Sequence, residues 1–130
     1  MGKKELSVTD KAYISKNPLS QALRVHATDW LYCSGQVGID PKTGKLTEGG
    51  IEAETVQILD NLKAVLEAGG SSMANVVKTT VFLTDLGDAP VMNRVYKTYF
   101  PEPRPTRACV QVAGLGSGAK IEIECLAFVD

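Results

Sequence analysis

The spacing of apolar residues along this chain changes period twice, and each change marks an element. Ala22-Leu23-Arg24-Val25-His26 alternates apolar and polar residues, and Trp30-Leu31-Tyr32-Cys33-Ser34 is rich in β-formers. The short turn Ala27-Thr28-Asp29 between them predicts that the two strands form a hairpin. Gly35-Gln36-Val37-Gly38-Ile39 continues as extended chain, with glycines that fit a bulge or a close backbone approach. Asp40-Pro41-Lys42-Thr43-Gly44-Lys45 is then a turn by composition.

From Ile51 to Ala68 the period becomes helical. Ile51, Thr55, Ile58, Leu59, Leu62, Val65 and Leu66 recur at steps of three and four, and Gly69-Gly70 supplies a C-terminal stop. Asn75 to Leu83 is β-branched and predicts a buried strand. Asp88 as N-cap and Pro90 in the first turn open a second amphipathic helix through Val91, Met92, Val95, Tyr96 and Tyr99. It stops at Pro101-Glu102-Pro103-Arg104-Pro105, and strands over Thr106 to Val112 and Lys120 to Val129 close the chain. This order predicts an α+β sheet with both helices on one face. The other face then needs a cover, and a second copy of the chain is the natural one. Either Ala108, Val110 and Val112 or Ile121, Ile123 and Cys125 face it; period two alone does not choose between the sets.

Composition narrows the function classes. The 130 residues predict one domain spanning 1–130, and 14 basic against 15 acidic residues give a net charge of −1. Such a balance lacks the basic footprint of a nucleic-acid binder, so no nucleic-acid partner is expected. No apolar run approaches the roughly 18 residues of a membrane span, so no membrane association is expected either. Cys33, Cys109 and Cys125 are widely spaced, and His26 is the only histidine, so no metal cluster is expected. Thiols within apolar stretches point to a reducing compartment: the cytoplasm, or alternatively the mitochondrion.

Candidate chemistry concentrates in the last two strands. Arg107, Cys109 and Gln111 share one strand face, and Lys120, Glu122 and Glu124 share one face of the other. Were the strands neighbours, an arginine and carboxylates would point to one side; the alternative is a solvated face of ordinary cross-strand ion pairs. Gly114-Leu115-Gly116-Ser117-Gly118 lacks the Gly-Lys-Ser/Thr ending of a phosphate loop and is expected to be a flexible connection. His26 has no Ser, Asp or Cys at informative spacing, nor a second acid-base group beside it.

Several blocks together are similar to the RidA (YjgF) family of small imine deaminases. They are Ser34-Gly35-Gln36, Gly49-Gly50-Ile51, Asn61-Leu62-Lys63-Ala64-Val65-Leu66 and Val76-Val77-Lys78-Thr79-Thr80-Val81. Asn93-Arg94-Val95-Tyr96, Pro105-Thr106-Arg107-Ala108-Cys109-Val110 and Lys120-Ile121-Glu122-Ile123-Glu124 follow in the family's order. The resemblance runs from about Pro18 to Phe128. It implies a chorismate-mutase-like (bacillus type) α+β protomer, a mixed sheet with two helices on one face, assembled as a homotrimer with active sites between subunits. The implied activity is hydrolysis of 2-iminopropanoate and 2-iminobutanoate, released by pyridoxal-phosphate-dependent dehydratases, to 2-keto acids and ammonia. It implies no metal and no organic cofactor.

Residue by residue, the resemblance makes Arg107 the partner of the substrate carboxylate and Glu122 the group that positions water at the imine carbon. It makes Cys109 a contact through its backbone, and Ser34 and Asn93 polar linings of the cleft. The family block is usually Gly-Pro-Tyr-Ser-Gln-Ala, whereas this chain has Asn17-Pro18-Leu19-Ser20-Gln21-Ala22. Leu19 keeps the apolar bulk of the substrate-contacting tyrosine and loses its hydroxyl. The alternative function is a trimer that binds a carboxylate ligand without turnover. A ribonuclease or translation inhibitor is disfavoured by the charge balance and the lone histidine.

Overall fold

A computed structural model describes residues 2–130 and divides them into ten regular elements. These are β1 (Lys3–Ser7), β2 (Ala22–His26), β3 (Asp29–Val37), β4 (Ile39–Asp40), β5 (Lys45–Leu46), α1 (Gly50–Ala68), β6 (Val76–Leu83), α2 (Ala89–Tyr99), β7 (Thr106–Gln111) and β8 (Ile121–Val129). The main sheet is mixed, in the order β3-β8-β6-β7, with only β6 and β7 parallel. No helix is long and apolar enough to cross a membrane among the described residues.

The expected hairpin of β2 with β3 does not form. β2 pairs instead with β1, and β3 pairs with β8 along almost its full length. β1 carries Lys3, Lys4 and Glu5 and has no apolar alternation to announce it. Its strand character comes from its neighbour, which offers a free ladder of backbone groups.

α1 forms where the three-four periodicity places it. Ile58, Leu59, Leu62 and Leu66 are wholly buried against the sheet, and truncating one of them to Ala would cost about 2–5 kcal/mol. At its end Ser71 N–H donates to Leu66 O and Gly70 N–H to Glu67 O, with Gly70 at φ 82°. That is the paired bonding of a Schellman stop, which favours glycine. At α2, Pro90 sits in the first turn as expected, but the Asp88 side chain makes no capping bond. Asp85 does the capping one turn earlier, its Oδ1 accepting from Gly87 N–H over the 3-10 turn Leu86–Asp88.

Both helices lie on one face of the main sheet. Ile121, Ile123 and Cys125 point into that core beside Met92 and Tyr96, which settles the choice between the two apolar sets. Ala108 and Val110 face the other way, with Thr80, Phe82, Glu122 and Glu124, and Val110 is 41% and Tyr32 81% exposed. The helix-free face is therefore open to solvent in one chain.

One polar pair lies at the centre of the helix face. Thr79 Oγ1 and Tyr96 Oη are 2.7 Å apart, both residues fully buried, and burial pushes the Tyr96 phenol up to about 12. Tyr96→Phe strands the Thr79 hydroxyl in a dry site and should lower stability by about 1–3 kcal/mol. Adding Thr79→Val should recover part of that loss in urea denaturation; strict additivity would show that the hydroxyls are uncoupled.

Candidate active site

β7 is an edge strand of the main sheet, and it carries the first half of the site. Thr79 faces α2, and in the parallel register Arg107 lies beside Thr79, so its side chain also turns under α2. The guanidinium carbon sits 5.0 Å from the centre of the Tyr96 ring, a cation–π stack worth about 0.5–2 kcal/mol. Arg107 Nη1 donates to Asn93 Oδ1 at 2.7 Å, while Nε is buried with no partner. No carboxylate lies within ion-pair distance of Arg107 among the described residues. Burial lowers its pKa from the ordinary value, partly offset by Tyr96 and Cys109. The group stays charged, so this is a cation held partly dry with hydrogen-bonding capacity left over.

Cys109 follows on the same side of the strand. Val112 N–H donates to Leu83 O, so backbone groups of the even positions point to β6. By alternation the N–H and C=O of Arg107 and Cys109 point to the free edge. Burial pushes the Cys109 thiol up, with Arg107 pulling in the opposite direction. A raised thiol is a poor nucleophile, and the useful groups at this position are those of the backbone.

The second half surrounds Glu122. The β3–β8 ladder slips between Cys33 and Gln36, and that irregularity contains Ser34 and Gly35. A Cβ on Gly35 would run into the Glu122 carboxylate and lie 2.8 Å from its Cδ. The glycine thus makes the seat on which this carboxylate rests, as the interrupted strand predicted. Ser34 is exposed immediately beside it.

Arg107 and Glu122 do not share a cleft within one chain, contrary to the arrangement that neighbouring terminal strands would give. β6 lies between β7 and β8, and Glu122 registers with Phe82, on the face opposite Thr79 and Arg107. Two strand spacings and three residues of rise put their Cα atoms about 14 Å apart. Leu19 joins neither half. It lines a largely apolar cavity of about 560 Å³ with Leu6, Val8, Ile14, Pro103 and Arg104. Ser20 N–H donates to Pro105 O at 3.1 Å and holds that loop to the segment before β7.

One contributor, Tyr96, carries no signal in the sequence as chemistry, and the role of a second, Asn93, is only partly visible there. Tyr96 belonged to the apolar stripe of α2, and only the placement of β7 beneath that helix turns it into the platform for Arg107. Asn93 was foreseen as a polar lining, but its role as the Arg107 acceptor depends on the same placement. His26 is not without an acid-base neighbour: Glu5 Oε2 lies 3.7 Å from its Nε2 across the β1–β2 ladder, both side chains about half exposed. Among the described residues, no three His, Cys, Asp or Glu side chains gather as a metal site would require.

The thiols give a direct check on this electrostatic picture. Cys33 and Cys125 are buried opposite one another in the β3–β8 register, and burial together with Cys33 pushes the Cys125 thiol far up. Iodoacetamide at pH 8 should leave both unmodified in the folded protein and label Cys109 slowly, with all three labelled in urea. Rapid labelling of Cys109, read by mass spectrometry, would show a thiolate where the geometry gives a thiol.

The comparisons with known proteins identify the family. Residues 9–129 match the family model described as Endoribonuclease L-PSP. A mouse protein named 2-iminobutanoate/2-iminopropanoate deaminase is 48% identical over 119 residues, covering 92% of this chain and 87% of its own length. The chloroplastic Reactive Intermediate Deaminase A of Arabidopsis thaliana is 44% identical over 125 residues, 96% of this chain and 66% of its own length. The crystal structure of RidA from an Antarctic Psychrobacter superposes with a TM-score of 0.76 at 43% identity, over 96% of this chain and 99% of that one. A mixed sheet backed by two helices, with relatives of this closeness along almost its whole length, makes the chain a member of the RidA (YjgF) family.

Proposed function

We propose that this protein hydrolyses 2-iminopropanoate and 2-iminobutanoate to 2-keto acids and ammonia, at sites completed between the copies of a homotrimer. The observation that carries the reading is Arg107: a partly dry guanidinium, stacked and oriented, with an unpartnered Nε and no carboxylate of its own. Its fork takes the substrate carboxylate by charge-assisted bonds, which a lysine could not reproduce. The edge-facing N–H of Cys109 donates to the same group. The name of the mouse relative supports the imine as the rest of the substrate.

Glu122 then reaches the substrate from another copy, because alternation along the sheet turns it away from Arg107 in its own. Its carboxylate holds a water and takes a proton as the oxygen adds to the imine carbon. The C=N electron pair moves to nitrogen, which gains a proton. The carbinolamine collapses with C–N cleavage as its hydroxyl proton passes to the amine, so that ammonia leaves and the carbonyl forms. Ser34 lies at the mouth of this half; Leu19, in its own cavity, has no part in the step. The solvent-open face bearing Tyr32 and Val110 supports association, and the family resemblance supplies the number three. Free thiols at all three cysteines suit the reducing cytoplasm or mitochondrion.

Arg107→Ala should lose roughly 30- to 1,000-fold in kcat/KM against imines released by a threonine dehydratase. Glu122→Gln should lower turnover more than it weakens binding of the keto-acid product. The two inactive variants, refolded together in equal amounts, should regain about a quarter of wild-type activity, since one site in four draws an intact Arg107 and an intact Glu122 from different chains. Mixed trimers with no regained activity would overturn the shared site, and a monomer in light scattering would overturn the assembly.

Gly35→Ala tests the seat of Glu122 separately. Displacing the carboxylate should cost on the order of 100-fold in turnover with the keto-acid affinity kept. An unchanged rate would mean that Glu122 does not act from this position.

A further inference from the structure

The flank of the Arg107 half carries charge that a simple imino acid does not need. Lys16, Arg94, Lys97 and Arg104, with Asn17 and Asn93, line a cavity of about 340 Å³, and no Asp or Glu lines it. Among the described residues only Arg104 of these four has an acidic partner, Glu102 at 2.9 Å, and that carboxylate is 78% exposed, so it neutralises little. Arg94 and Lys97 are three apart on α2 and share a face. Arg104 lies three residues before Arg107, in the segment that leads into β7, and its Nε is buried without a partner.

Asn93 joins this cavity to the proposed carboxylate site. Its Oδ1 accepts from Arg107 Nη1 at 2.7 Å, and its Nδ2 donates to Asn17 Oδ1 at 3.3 Å. Asn93 is therefore bonded to the Arg107 guanidinium and also lines the cavity that holds the other cations. Cations crowded around a concave surface repel one another and are relieved by an anion, which a small ligand supplies more readily than the backbone of a long polymer.

We propose that this cavity is a second anion subsite, and that the protein favours 2-imino acids bearing an additional carboxylate over 2-iminopropanoate. The inference rests on the deaminase reading of Arg107. The first carboxylate occupies the Arg107 fork, the second enters among Arg94, Lys97 and Arg104, and the imine between them is presented to the water on Glu122.

The test compares imines generated in the cuvette by oxidases acting on aspartate and on alanine, with wild type and an Arg94→Ala/Lys97→Ala variant altered only on the exposed side of α2. Calorimetry with oxaloacetate and pyruvate runs in parallel. Wild type should prefer the aspartate-derived imine by roughly 10- to 100-fold in kcat/KM. The variant should lose that preference, keep its rate on the alanine-derived imine, and bind oxaloacetate no better than pyruvate. Equal handling of both imines by wild type would overturn the subsite. So would a parallel fall on both in the variant, or tighter binding of single-stranded RNA than of oxaloacetate at the same salt. Failure of the deaminase reading is distinct: neither imine is hydrolysed, while the calorimetric preference for the dicarboxylate still decides the subsite.

Discussion

Withdrawing a guanidinium from water without giving it a carboxylate is costly, and the arrangement around Arg107 is organised to bear that cost. The Tyr96 ring offers its electron-rich face at 5.0 Å, Asn93 accepts one N–H, and Tyr96 is itself fixed by the Thr79 hydroxyl. Each of these partners is neutral. They orient the cation without satisfying its charge, which leaves the balance for an anion from outside. The placement of α2 over β6 and β7 follows from the same contacts, since its stripe of Met92, Val95 and Tyr96 must meet the sheet where Thr79 and Arg107 emerge.

Strand geometry decides the rest. Side chains alternate across a sheet, so residues in phase with Thr79 stay under the helices and those in phase with Phe82 face outward. Arg107 is in the first class and Glu122 in the second. Only a strand slip would bring the carboxylate to the helix face, and it would expose Ile121, Ile123 and Cys125 in exchange. Burial of those three therefore fixes the outward direction of Glu122, and a site that uses both charges must draw them from different chains. The open edge of β7 and the apolar residues of the open face are consistent with that requirement.

Much of this was legible before any coordinates. The three-four spacing from Ile51 to Leu66 and the glycine pair after it located α1 to within a residue, because helix period and cap chemistry are local properties. The ends of β6, β7 and β8 were equally well placed. Pairing was not local and was read less well. The turn at Ala27–Asp29 suggested a hairpin, yet β3 gains more by joining the buried β8 than by closing on β2. The polar strand Lys3–Ser7 could not be seen at all, since its ladder is supplied wholly by β2. For the site, the residue types of Arg107, Cys109, Glu122 and Asn93 were visible and their facing was not. Facing depends on β6 being inserted between β7 and β8, a fact of topology that period two does not contain.

The two charges also differ in what they can do for a reaction. On the proposed reading, the substrate carboxylate is unchanged from imine to adduct to keto acid, so Arg107 would contact it alike at every stage. Such binding raises occupancy and fixes orientation but does not by itself favour the transition state. Discrimination has to come from groups near the imine carbon, where hybridisation and charge alter, and Glu122 is the group proposed there. Its freedom to act depends on Gly35, where any side chain would occupy the carboxylate's place. On that reading, binding belongs to the stack under α2, and turnover to a strand irregularity on the opposite face. Substitutions in the first should act chiefly through affinity and positioning, and those in the second chiefly through the chemical step.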